Sequence, residues 1–370
     1  MSANGISILE AITPSTIGGA EVYVAGICRL LPELGARVEL FCPKGRPFVG
    51  YAVANGLESV TWKTHGKVDP LTVLRLARLL RKSRVDIIHT HLSTAGFIGA
   101  LAARIAGIPS VAHVHGLNTA TCYRRSTAII AVSEAAKAHL ARQGVNPEKI
   151  RVIHNGVELD RFEIVPVEDA KRRLGYDPKT PVFGAFGRLS KEKGQTIALR
   201  AMALLKSEHP TARLMLVGDG ADSSPLESAA KELGIAENVD FVGFAHDVRR
   251  FMSACDAVIA PSLKEGLGLS ALEAMALGRP VVASAVGGLN EVVVPGKTGF
   301  AVPPGDPQAI ADSLTALVRD RDLAERMGAL GRKRVEEQFD LAKQARTLLA
   351  ALEEIVGRNG RRNRRGGSAK

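Results

Sequence analysis

The chain has 370 residues, more than one ordinary hydrophobic core accommodates and suited to two domains of roughly 150–200 residues. Hydrophobic residues at 46% and charged residues at 24% are ordinary globular values, while aromatics at 4% argue against a base-stacking platform for nucleic acid. The net charge of +11 is uneven: residues 1–162 carry 19 basic against 11 acidic residues, 163–357 carry 24 against 27, and 358–370 carry six against none. A basic first half suits either a solvated face or contact with an anionic membrane surface, where each basic residue contributes roughly 1 kcal/mol. Cys28, Cys42, Cys122 and Cys255 are scattered without a CxxC pair and read as reduced thiols. There is no 18-residue apolar run, and residues 1–20 lack a basic start and apolar core. The expectation is a cytoplasmic protein, able to sit peripherally on the inner face of the membrane.

Short apolar runs alternate with helical patterns along the whole chain, which implies α/β domains with mostly parallel sheets. Ile6–Ile12 reads as the first strand, followed by the small-residue loop Thr13–Gly19 and a helix near Ala20–Leu34. Val38–Phe41 is a strand, Leu71–Arg81 a basic amphipathic helix, Asp86–His89 a strand and Thr94–Ala106 a helix. Ser110–Val114 and Ala128–Val132 are strands, the second leading into a helix that starts at Ser133-Glu134. Ile150–Ile153 runs into the turn His154-Asn155-Gly156-Val157, and the Pro-bearing stretch Glu163–Asp169 is placed as a linker. A second series begins at Val182–Phe186 and continues with strands at Arg213–Val217, Val239–Val242, Ala257–Ala260 and Pro280–Ala283. Helices over Pro307–Arg319, Asp322–Gln338 and Leu341–Val356 follow, and the Gly/Arg/Ser-rich end is read as disordered.

The most informative stretch is Glu265-Gly266-Leu267-Gly268-Leu269-Ser270-Ala271-Leu272-Glu273. It puts one carboxylate on the loop before a helix N-terminus and a second about two turns later. The glycines leave backbone N–H groups open to an anion. Carboxylates accept from hydroxyls and free amides hold phosphate oxygens, so the pattern suits a ligand that carries both. Gly187–Gly194 follows the first strand of the second series and holds Arg188 and Lys193 at the strand edge where ligands bind in open α/β sheets. Arg offers a fork and Lys a point charge for phosphate, as an alternative to a solvated basic loop. His115 ends a strand and precedes glycine, which favours a functional role. His113 is placed on the opposite face of that strand and given a structural one. His91 begins a loop where it could touch an acceptor. Gly18-Gly19 makes a βα turn with Glu21 behind it, and is neither a G-x-G-x-x-G fingerprint nor a Walker loop. Gly218 suits either a tight turn or ligand approach, and Phe244 either packs on a base or fills core. Asp320-Arg321-Asp322 matches a D-x-D metal pattern only by chance spacing.

These residues resemble family 4 of the retaining glycosyltransferases, which have the GT-B fold. The matches run in order: Gly18-Gly19-Ala20-Glu21, His115-Gly116, Ala131-Val132-Ser133-Glu134, Asn155-Gly156-Val157, Gly187-Arg188-Leu189 with Lys193-Gly194, Val217-Gly218-Asp219-Gly220, Glu265-Gly266-Leu267-Gly268, Leu272-Glu273-Ala274-Met275, Gly278-Arg279-Pro280-Val281 and Gly287-Gly288. The resemblance implies two Rossmann-like domains facing across a cleft: residues 1–162 on the acceptor side, joined by a returning helix over 340–357, and residues 163–339 binding the nucleotide sugar, with a disordered basic tail at 358–370. It implies that Glu265 contacts hydroxyls of the transferred sugar and Glu273 the ribose. Arg188 and Lys193 would hold the diphosphate, with Gly18-Gly19 closing over it. The amides of Leu267, Gly268 and Leu269 would contact phosphate or sugar, with Gly218, Phe244 and Gly266 at the donor as well. His115 would lie at the donor sugar, and His91, Tyr123, Arg124 and Asn155 on the acceptor side. No metal and no other cofactor is expected.

Many relatives carry a longer helical insertion where this chain has only Leu117–Ile130, which leaves Tyr123-Arg124-Arg125 as a basic, aromatic edge for a lipid-linked or saccharide acceptor. The function implied is metal-independent, retaining transfer of a sugar from a nucleotide donor to a glycan or lipid-linked acceptor, of the lipopolysaccharide kind, with no nucleic-acid partner. The alternatives are a nucleotide-sugar epimerase of similar fold and a non-catalytic nucleotide-sugar-binding protein.

Overall fold

The apolar runs become parallel strands because helices cover both of their faces, the setting in which continuous Val/Ile/Leu/Ala strands are stable. The computed structural model describes residues 5–64 and 69–366, with side chains as far as 359. The chain forms two compact units, Met1–Asn155 with Leu341–Lys370, and Gly156–Asp340.

The first unit runs β1 (Ser7–Ile12), α1 (Gly19–Glu33), β2 (Arg37–Phe41), α2 (Pro47–Ala54), α3 (Pro70–Lys82), β3 (Ile87–His91), α4 (Ser93–Ala106), β4 (Ser110–Val114), β5 (Ala128–Ala131), α5 (Glu134–Arg142) and β6 (Ile150–Val152). Its sheet has the order β2-β1-β3-β4-β5-β6, every pair parallel. The strand order therefore reverses direction between β1 and β3, which leaves a crevice at their carboxyl ends. One face carries Ile8 and Ile12 beneath α1, with Tyr23, Val24, Ile27 and Leu31. The other carries Leu9 and Ala11 beneath α3 and α4.

The second unit runs α6 (Val167–Arg173), β7 (Val182–Phe186), α7 (Gln195–Leu205), β8 (Arg213–Val217), α8 (Ser223–Glu232), β9 (Val239–Gly243), α9 (Arg249–Ser253), β10 (Ala257–Ala260), α10 (Leu269–Ala276), β11 (Val281–Ser284), α11 (Leu289–Val292), β12 (Gly299–Val302), α12 (Pro307–Arg319) and α13 (Arg321–Gln338). Its parallel sheet has the order β12-β11-β10-β7-β8-β9. Counted within the unit this is 3-2-1-4-5-6, the Rossmann order, with its switch point between β7 and β10. α14 (Leu341–Gly366) then returns to the first unit, where Leu341, Leu348, Leu349 and Leu352 join the core beneath α1.

Several expectations are corrected here. The basic end of the chain is helical through Gly366 rather than disordered from 358. A helix already anchored by buried leucines extends cheaply, and arginine is a good helix former. Residues 367–370 lie outside the described residues. The proposed linker is partly helix, since α6 starts at Val167. β12 went unread because four residues, Gly-Phe-Ala-Val, give too short a pattern. Asp320 and Asp322 belong to a helix start: Asp320 caps α13 by accepting from the Leu323 N–H at 2.8 Å. Among the described residues no helix is long and apolar enough to cross a membrane.

Candidate active site

In the second unit the switch point brings two loops together. The loop after β7 carries Arg188 and Lys193, and the loop after β10 carries Glu265. Lys193 Nζ lies 2.6 Å from Glu265 Oε2. The Ser262 hydroxyl donates to the same oxygen at 3.0 Å, and the Gly266 N–H reaches Oε1 at 3.2 Å. Glu265 is thus held from three sides, its side chain 13% exposed. Arg188 is different. Its side chain is 67% exposed and only 3.9 Å from Glu192, so its fork is turned to solvent.

The Glu265 loop is shaped by glycines from the next connection. A Cβ on Gly287 would lie 2.0 Å from the Glu265 carbonyl oxygen, and one on Gly288 2.3 Å from that of Gly266. Only glycine lets the two chains touch. The Gly288 N–H donates to the Glu265 carbonyl at 3.3 Å. α10 begins directly after this loop, so the N–H groups of Leu269 and Ser270 open at a helix N-terminus behind Gly266, Leu267 and Gly268. Glu273 follows one turn into α10. Burial raises its carboxyl to about 7, against the pull of Arg161 and Arg249 and with the push of Asp247.

Gly218 has a structural reason to be glycine, since a Cβ there would lie 2.0 Å from the Gly187 carbonyl oxygen. The turn after β8 is thereby clamped on the Arg188 loop, and the Leu189 N–H donates to the Asp219 carbonyl at 3.0 Å. Phe244 does not fill core. It is 53% exposed and packs edge-on against His246 at 4.9 Å between ring centres.

In the first unit the switch point gathers histidines around one carboxylate. The register pairs Glu10 with His89 across β1 and β3, and His91 with His113 across β3 and β4. Glu10, His89, His91 and His113 are all fully buried. His89 Nδ1 lies 3.0 Å from Glu10 Oε1 and His91 Nε2 2.7 Å from Glu10 Oε2. His91 Nδ1 meets His115 Nε2 at 2.9 Å, and His115 Nδ1 meets Asn155 Nδ2 at 3.2 Å. On the other branch His113 Nδ1 lies 3.2 Å from His89 Nε2. Tyr23 of α1 sets its ring edge-on to His113 and His115. Burial alone would raise the Glu10 carboxyl, but the two histidines bonded to it outweigh burial and hold it at about 2. Burial and the neighbouring His89 push His91 down to about 4. Burial and adjacent rings hold His113 and His115 well below the usual imidazole range. His89, His91 and His113 place ring nitrogens within 4.8 Å of one another, a spacing that a metal ion could use. Here the nitrogens that face one another are joined in hydrogen bonds.

These placements revise the reading of the first unit. His113 does not face away from His115: their rings stack with centres 4.4 Å apart. Residues two apart in extended backbone share a face, so the opposite assignment had the period wrong. His91 ends β3 rather than starting a loop. Asn155 is 2% exposed and bonded to His115. Tyr123 is fully buried, its hydroxyl 3.0 Å from Ser93 Oγ, so it is no exposed acceptor edge. Its ring lies on Gly96, where a Cβ would come within 2.9 Å of it. Arg124 braces the same region by donating to the Gln143 carbonyl. The Gly18 N–H donates to the Glu21 carboxylate at 2.9 Å, so Glu21 holds the turn before α1. Sequence reasoning missed Glu10. Its signal was a lone acid inside the apolar run Ile6–Ile12, beside two His-x-His pairs.

Two parallel α/β units with polar groups gathered at their switch points define an enzyme of the nucleotide-binding α/β class. Residues 17–161 match the family described as Glycosyltransferase Family 4, and residues 166–334 that described as Glycosyl transferases group 1. The D-inositol 3-phosphate glycosyltransferase of Thermobispora bispora is 30% identical over 92% of this chain and 91% of its own length. The alpha-maltose-1-phosphate synthase of Mycolicibacterium smegmatis is 28% identical over 92% and 97%. The crystal structure of Anabaena HepE in complex with UDP and glucose superposes with a TM-score of 0.85 at 26% identity, covering 94% of this chain and 99% of that one. The chain belongs to the family 4 glycosyltransferases. It is a nucleotide-sugar-dependent glycosyltransferase of GT-B type.

Proposed function

We propose that this enzyme moves a sugar from a nucleoside-diphosphate donor to a glycan or lipid-linked acceptor, with retention of configuration and without a metal ion. The observation that carries the reading is the Lys193–Glu265 pair at the β7/β10 switch point, beside the exposed Arg188 and the N-terminus of α10. Arg188, Lys193 and the α10 amides supply the positive charge that a departing diphosphate needs, in fixed positions. Glu265 is neutralised by Lys193 and held by Ser262, so it serves to position sugar hydroxyls rather than to attack carbon. Glu273 takes the ribose hydroxyls. Retention follows if the acceptor oxygen enters on the face the diphosphate leaves. The C–O bond to phosphate breaks, the C–O bond to the acceptor forms, and a phosphate oxygen takes the acceptor's proton. His115 is the group of the first unit that serves this transfer.

UDP-glucose is the donor to try first, since UDP and glucose occupy the related Anabaena structure. Release of UDP, unaffected by EDTA, and an NMR coupling constant that shows the donor's anomeric configuration in the product are the expected results. An isomerised, uncleaved donor would point to an epimerase. A phosphorylated cyclitol is the second acceptor class, favoured by the names of relatives at 30% identity and above.

A lipid-linked acceptor gains support from α3. Its outward face presents Leu71 and Leu74, 49% and 48% exposed, in line with Arg75, Arg78 and Lys82. Such a face suits peripheral contact with anionic lipid. Vesicles containing phosphatidylglycerol should sediment the protein, and R75E/R78E should abolish this at unchanged melting temperature. Equal sedimentation of the variant would remove the membrane part of the reading.

A further inference from the structure

We infer that Glu10 is a positioning residue that fixes the tautomer of His115 through His91, and so sets which nitrogen of His115 donates. The inference rests on the reading of His115 as the group that serves sugar transfer. Glu10 touches no substrate.

The argument is one of donors and acceptors. A carboxylate only accepts. Both histidines that face Glu10 must therefore donate, His89 through Nδ1–H and His91 through Nε2–H. A neutral imidazole has one N–H, so His91 Nδ1 is an acceptor. Its partner at 2.9 Å, His115 Nε2, must carry the proton. His115 Nδ1 is then bare and accepts from the Asn155 amide. On the other branch His113 Nδ1 faces His89 Nε2 at 3.2 Å. Among the described residues, His113 Nε2 and Asn155 Oδ1 are two of the buried atoms without a hydrogen-bond partner, one at each end of this network. Every atom in between is paired, and every pair has one donor and one acceptor. A chain that ran the other way would set a histidine lone pair against the Glu10 carboxylate.

Glutamine at position 10 keeps the shape but has one accepting oxygen and one donating NH₂. One of the two facing histidines must then offer a lone pair. If that is His91, the branch reverses and the His115 proton moves to Nδ1, against the Asn155 NH₂. Burial makes such mismatches costly.

The test uses the full chain labelled with ¹⁵N-histidine and long-range ¹H–¹⁵N correlation, which reads tautomers without any substrate. The expected wild-type pattern is Nε2–H on His91 and His115, with Nδ1–H on His89. Nδ1–H on wild-type His115 would overturn the inference outright. Glu10→Gln should change the tautomer of His89 or His91; where it is His91, His115 shifts with it and kcat falls by about 10²-fold, with donor KM changed less than twofold. Asn155→Asp places an acceptor-only group at the far end, so His115 should carry a proton on both nitrogens while His91 keeps Nε2–H. Wild-type tautomers at both His89 and His91 in Glu10→Gln, or an altered His115 tautomer with wild-type kcat, would overturn it. Should Glu10→Gln not fold, the wild-type pattern and Asn155→Asp decide. A correct pattern in a protein that transfers no sugar would sink the functional reading and leave the chain's direction standing.

Discussion

Lys193 Nζ and Glu265 Oε2 lie 2.6 Å apart across two loops whose residues are 72 positions distant in sequence. The pair means that neither group acts alone. Removing Lys193 takes away the cation that faces Glu265, and removing Glu265 leaves Lys193 without its carboxylate partner; on the proposed reading the first loses a phosphate contact and the second the orientation of the sugar. Lys193→Ala should lower kcat/KM by about 10²-fold, as losing a fixed oxyanion donor does. Glu265→Gln should cut kcat at nearly constant affinity for the free nucleoside diphosphate. The double variant should lose less than the product of the two, because residues in contact are not additive. Strictly multiplicative losses in steady-state kinetics would show the contact to be incidental.

Glu273 makes stability depend on pH in an unusual direction for an acid. Its folded carboxyl sits at about 7, against an ordinary value of 4.5. Between these values the unfolded chain has given up the proton and the folded chain has kept it, so the folded state loses stability as pH rises from 4.5 to 7. The loss is at most about 3 kcal/mol. Glu273→Gln removes it. The melting temperature of the variant relative to wild type should rise between pH 4.5 and pH 8. A constant difference across that range would mean that Glu273 is ionised throughout.

Gly287 lets the loop after β11 lie against the backbone of Glu265. Its φ of +52° and the 2.0 Å approach of the Glu265 carbonyl leave no room for a side chain. Gly287→Ala should displace Glu265 and Lys193 together, so donor-analogue affinity by calorimetry should fall at least tenfold. Gly305 also has positive φ but faces open space. Gly305→Ala should cost only about 1 kcal/mol of stability and leave affinity unchanged.

Tyr123 separates packing from acceptor recognition. Tyr123→Phe keeps the ring on Gly96 and loses only the hydroxyl's contacts with Ser93 and Asn118, so transfer should remain within twofold of wild type. Tyr123→Ala leaves a cavity and should destabilise by roughly 3–5 kcal/mol in urea unfolding. A phenylalanine variant with a raised acceptor KM and normal stability would restore Tyr123 to the acceptor site.

Much of this enzyme was legible in residue order. Apolar runs alternating with amphipathic segments determine parallel α/β units. The spacing of Glu265, Glu273 and the glycines between them determines a loop that opens a helix N-terminus between two carboxylates, because these residues are local to one βα connection. Arg188 and Lys193 stand on another such connection, and placing them at its strand end needed only the pattern. Tertiary structure alone decided which connections meet. Lys193 finds Glu265 because β7 and β10 are neighbours at a switch point, and strand order is not written in local periodicity. Glu10 acquires its role for the same reason: β1 pairs with β3, and β3 with β4, so residues 10, 89, 91 and 113 converge from well-separated segments. Burial settled the rest. Tyr123 beside two arginines reads as a surface edge until the small residue Gly96 offers its ring a place in the core, and no spacing rule connects the two.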